Sequence, residues 1–164
     1  MAKARPVPGF AESASFREAG ARAVRTRSEE VFEHREGVLD TTDIEGVHDM
    51  RVATRRLRAV MEIFAPCFPK NEQRKLLKEV KALADSLGER RDADVAIASL
   101  ERIAAAMPAA DRPGVDYVLG ELRAEQAAAN TALAEMLNQI DRDGLRERLL
   151  ALAADAAPDL ALVA

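Results

Sequence analysis

Apolar residues recur at intervals of three and four along most of the chain, and no stretch alternates apolar with polar residues as a half-buried strand does. Val24, Val31 and Val38, seven apart, predict a first helix from about Ser15 to Leu39. Asp40-Thr41-Thr42-Asp43 interrupts it. Thr42, followed three residues on by Glu45, has the spacing of a capping box that opens a second helix, about Asp43 to Ala65. Pro66 and Pro69 bracket a turn. A third helix is predicted from about Asn71 to Leu87, with Gly88 placed to end it. A fourth runs from Arg91 or Asp92 to Met107, where Pro108 stops it. Val115, Val118, Leu122, Ala129, Leu133, Met136 and Ile140 mark a long fifth helix from about Pro113 to Ile140, and a short sixth reaches about Ala154. Short loops place successive helices antiparallel. The pattern therefore predicts an all-α fold: an antiparallel up-and-down helical bundle of four helices, extended by a long fifth and a short sixth. Residues 1–14 read as a flexible arm, 15–154 as the bundle and 155–164 as a tail.

The polar positions of the second helix depart from the usual mixture of signs. At about 100° per residue, His48, Arg51, Arg55 and Arg58 share a strip roughly 80° wide, opposite Met50, Leu57, Met61 and Phe64. Arg56 falls to one side of it. No acid lies within the strip; Glu62 stands only at its far end. Like charges on adjacent turns cost a few tenths of a kcal/mol per pair, so repeated acceptance of that repulsion suggests a polyanionic ligand. The third helix repeats the design with Arg74, Lys78 and Lys81, and Arg90 and Arg91 follow. If both helices face one groove, these residues are the candidate ligand set. Arginine suits phosphate because its planar fork donates two parallel hydrogen bonds, and lysine adds point charge. His48 is the member whose charge can change near neutrality.

Charge along the chain sharpens this reading. The net charge of −4 on its own argues against nucleic acid, but it is unevenly spread: residues 1–47 carry −2, residues 48–91 carry +5 and residues 92–164 carry −7. Positive charge is confined to one segment, where it can attract an anion locally. The single cysteine, Cys67, excludes an intrachain disulfide and reads as a small buried apolar residue. MAKARPVPGF lacks the apolar stretch of a signal peptide, and no apolar run is long enough to span a membrane. The expectation is a cytoplasmic protein with no membrane association.

Other chemistries find less support. Glu45 and His48 make one Glu-x-x-His, but a di-iron centre needs two such motifs and more glutamates, so neither a metal nor any other cofactor is expected. His34 has no candidate partner and reads as structural. A histidine-phosphotransfer-like signalling bundle would also present one exposed histidine, yet would leave the extra arginines without a role. A nucleic-acid-binding helical protein remains a further alternative, although five Phe and one Tyr at core spacing offer few platforms for bases. No nucleophile, base and acid fall together, so the chain is not expected to be an enzyme.

Val47–Arg58, V-H-D-M-R-V-A-T-R-R-L-R, followed by L-G-E-R-R-D-A-D-V at Leu87–Val95, resembles the CHAD family, the conserved histidine α-helical domain. The resemblance covers about Ser15 to Ala153. Its motifs carry over onto His48, Arg51, Arg55, Arg56 and Arg58, and onto Arg91 and Asp92, where Asp92 would cap the fourth helix or orient an arginine. Arg74, Lys78 and Lys81 match the family's basic character but no strict motif. The resemblance implies a non-catalytic module that binds inorganic polyphosphate or another phosphate-rich polyanion. Such modules often accompany triphosphate-tunnel domains. Family members usually have two similar bundles facing each other across a basic channel, and this chain resembles the first. A homodimer would supply a second copy of the strip.

Overall fold

Ser15 opens the first helix. Its hydroxyl accepts the Glu18 amide at 3.2 Å, and the Glu18 carboxylate accepts the Ser15 amide at 2.8 Å, a complete capping box. The computed structural model describes residues 3–9 and 14–158. Their helices are α1 (Phe16–Glu33), α2 (Ile44–Ile63), α3 (Lys70–Ala106), α4 (Arg112–Arg142) and α5 (Leu145–Ala156), with 3-10 turns at Ala65–Cys67 and Ala109–Asp111. The fold is all-α, and no strand occurs among the described residues. None of their helices is long and apolar enough to cross a membrane.

Three predicted boundaries need correction. The first helix stops at Glu33, and Gly37, in the left-handed region at φ 76°, turns the chain before Leu39. Thr42 is not the cap of α2. Its hydroxyl donates to Asp40 at 2.7 Å, and the Asp43 carboxylate takes the Glu45 amide at 3.0 Å instead. Gly88 ends nothing: the predicted third and fourth helices are one helix of 37 residues. Gly88 in a helix interior costs about 0.5–1 kcal/mol relative to alanine. Packing of Leu83, Leu87 and Ile97 on both sides of the glycine outweighs that penalty.

α1 packs on α2 and α5, α2 on α3, and α3 on α4. A Cβ on Gly20 would lie 2.9 Å from the Phe64 ring, so α1 meets the end of α2 closely only because that position is glycine. Gly144, at φ 64°, reverses the chain between α4 and α5. The core is aliphatic. Met50, Leu57, Leu83, Leu133 and Leu149 are fully buried, each contributing about 1.5–3 kcal/mol of transfer free energy. Cys67 is buried among them, and burial raises its thiol pKa. Residues 3–9 lie along α1, where Arg27 donates to the Arg5 carbonyl at 2.9 Å and Arg22 to that of Pro8 at 3.3 Å. Residues 1–2 and 10–13 of the expected arm and 159–164 of the expected tail lie outside the described residues.

α2 and α3 run antiparallel: Gln73 donates to the Met61 carbonyl at 3.0 Å, and Arg91 to that of Ile44 at 3.1 Å. Arg91 therefore marks the level at which α2 begins. α3 continues for fifteen residues beyond it, about 22 Å at 1.5 Å per residue, and α4 returns alongside.

Candidate anion-binding site

Val47, Met50, Ala53, Leu57 and Met61 are buried and fix the rotation of α2. His48, Arg51, Arg55 and Arg58 consequently face outward, Arg55 and Arg58 exposed and the other two half-buried. Arg56 lies half-buried at the side of the strip. On α3, buried Leu76, Val80, Leu83 and Leu87 set the opposite face outward, bearing exposed Arg74 and Lys78 and half-buried Lys81. The two strips meet at Glu62, whose carboxylate accepts from Arg58 Nε at 3.2 Å and Lys81 Nζ at 3.0 Å. Among the described residues no carboxylate pairs with Arg51, Arg55, Arg74 or Lys78.

Arg90 belongs elsewhere. Its side chain is 0% exposed and pairs with Asp94, which is equally buried. Nε donates to Asn130 Oδ1 at 3.2 Å, Asn130 donates to the Leu39 carbonyl at 3.0 Å, and Gln126 donates to Asp94 at 2.7 Å. Burial pulls the Arg90 pKa below its usual range, the like charge of Arg91 adding to this; the adjacent Asp94 supplies the counter-charge. Arg90 is thus an interior tie between α3, α4 and the α1–α2 loop, not a residue of the basic surface. Arg91 is half-buried beside the first turn of α2 and spends one guanidinium nitrogen on Ile44. Asp92 does not cap a helix. It is exposed in the middle of α3, on the outer strip that also carries Asp85 and Glu89.

At the start of α2, Glu45, His48 and Asp49 bring one ligand atom each to within 4.8 Å of one another. His48 therefore has acids as neighbours as well as arginines. Acids in a helix's first turn complement its dipole, and no further ligand joins these three among the described residues. His34 is the C-cap residue of α1, half-buried, a structural position.

Sequence reasoning missed two members of this neighbourhood. Gln73 is buried beneath the strip and holds the end of α2; a lone glutamine at a core phase of α3 was the available signal. Glu62 links both helices, and its spacing of four from Arg58 pointed to only one of its two partners.

A family model described as CHAD domain matches residues 22–164. No curated protein and no solved structure matches the chain.

Proposed function

The chain belongs to the CHAD domain family, and from that premise we propose that it binds inorganic polyphosphate, or a comparable linear polyanion, on the outer face of α2 and the first half of α3, without chemistry. One observation carries this reading: from Arg51 to Arg58 the outward strip of α2 holds no carboxylate, and half-buried Arg51 and exposed Arg55 have no acidic partner among the described residues. Solvated helical faces usually interleave acids that pair at i,i+4. Here arginine forks stand ready for phosphate oxygens, with Lys78 and Arg74 adding charge on α3. The ligand set omits Arg90, which has no access to the surface. We further propose that the chain self-associates about a two-fold axis.

Titration with long-chain polyphosphate at two ionic strengths tests the binding. Each phosphate contact is expected to add to the slope of log affinity against log salt, by analogy with about 0.7 per contact on single-stranded nucleic acid. Arg51→Ala with Arg55→Ala should lower that slope by roughly 1.4 and weaken binding. Stability should stay within about 0.5 kcal/mol of wild type, as for surface positions generally. Equal affinity at both ionic strengths, or a double variant that binds as wild type does, would remove the strip as the binding surface.

A further inference from the structure

Residues 3–9, which the sequence alone reads as a loose arm, are seated on α1 by their backbone. The Arg5 amide donates to the Glu30 carboxylate, Arg27 donates to the Arg5 carbonyl at 2.9 Å, and Arg22 donates to the Pro8 carbonyl at 3.3 Å. Glu30 is only 3% exposed and also accepts from Arg27. Its place on the helix does not account for that burial. At about 100° per residue it points about 100–120° away from Val24 and Val31, which α1 turns into the core. Thr26, one turn earlier on the same face, is buried too. A carboxylate buried without partners is costly, and here the partners are a guanidinium of α1 and a backbone amide of the arm.

The arm is shaped for this position. Pro6 and Pro8 fix two φ angles and favour an extended polyproline conformation, so docking costs little further freedom. Val7 is half-buried, while its neighbours in the arm are exposed. The Arg5 side chain pairs with Glu33 and comes within 3.9 Å of Glu29. Gly9 ends the contact at φ 66°, and a Cβ there would run into the Arg22 guanidinium. Any side chain at this position meets both backbone strain and a collision.

We infer that the outer face of α1 is a peptide-binding site. It takes an extended, proline-stiffened segment by its backbone, selects an arginine through Glu29 and Glu33, and is filled in this chain by the chain's own residues 3–9. The ion pairs of Arg5 are open to water and individually weak. The tether compensates, because a segment joined to its site by a short linker is present at an effective concentration of the order of millimolar. The contact is therefore exchangeable, and departure of the arm opens the site to an arginine–proline segment of another chain. None of this depends on the polyanion reading, which concerns α2 and α3.

The test is fluorescence anisotropy of a labelled peptide of residues 3–9, titrated with the full chain as wild type and as Gly9→Val. The Gly9→Val chain, whose own arm no longer fits, should bind the peptide at least tenfold more tightly than wild type, whose site is already filled. An Arg5→Ala chain, its arm released by loss of the anchor, should do the same. A peptide carrying Arg5→Ala should bind the Gly9→Val chain about five- to tenfold more weakly, and a scrambled peptide of the same composition should not bind. The site is overturned if neither released chain binds the native peptide, if both bind it only as wild type does, or if the scrambled peptide binds equally well. Unchanged affinity of the Arg5→Ala peptide would overturn the selection of arginine.

Discussion

Arg90 and Arg91 are adjacent in sequence and opposite in environment. Arg91 reaches the edge of the basic surface, whereas Arg90 is enclosed with Asp94. Removing one partner of a buried pair leaves the other charge uncompensated, at about 3–5 kcal/mol. Arg90 Nη2 and Asp94 Oδ2 already lack hydrogen-bond partners in the interior, so the network has little spare capacity to adapt. Arg90→Ala should therefore lower unfolding stability by about 3–5 kcal/mol in urea titration, and a change below about 1 kcal/mol would show that the pair does not hold the interior together. The environment of Arg90 was legible in the sequence only on one condition. Counted at 100° per residue through Gly88, it falls on the side of Leu83, Leu87 and Asp94. A helix break at Gly88 discards that phase, and Arg90 then passes for one more surface cation. The strip on α2 needed no such condition, because no glycine or proline interrupts it.

At the scale of the element, α3 is one helix with two surroundings. Its first half packs against α2 and α5, with Leu76, Val80, Leu83 and Leu87 buried. Beyond Arg91 it has chiefly α4 beside it, and Ile97 is its last buried residue. Segments with few buried contacts open at lower free energy than the core. Amides of residues 98–106 and 112–118 should accordingly exchange with deuterium well before those of residues 76–90. Uniform protection along α3 would mean that the far end is covered in solution. The heptad spacing of apolar residues revealed that helices exist here, and the starts of α2 and α4 were placed within a residue or two. The continuity of α3 was hidden because a glycine signals a helix end locally, while what overrides it is packing that includes contacts with α4 between residues more than thirty positions apart, Arg90 with Asn130 and Asp94 with Gln126.

For the molecule as a whole, the α3–α4 hairpin leaves Val95, Ile103, Tyr117 and Val118 exposed, four of the six large apolar side chains that are exposed among the described residues. Two helices cannot cover each other's apolar faces, and isologous pairing of two hairpins would make a four-helix contact. Light scattering without polyanion should then give twice the 17.8 kDa of the chain, and a mass of 17.8 kDa at every concentration would exclude the dimer. The sign of charge along α3 has a separate consequence. Its outer strip begins with Arg74, Lys78 and Lys81 and continues with Asp85, Glu89 and Asp92, so the charge along this face of the longest helix reverses sign near its middle. On the proposed reading, this reversal would orient an approaching polyanion before contact and raise the share of encounters that arrive in a productive orientation. If the surface binds a polyanion as proposed, the same reversal would repel a chain that continued along α3 past Lys81. Such a chain would be deflected sideways over α2, its path set by the order of charges on a helix that it leaves.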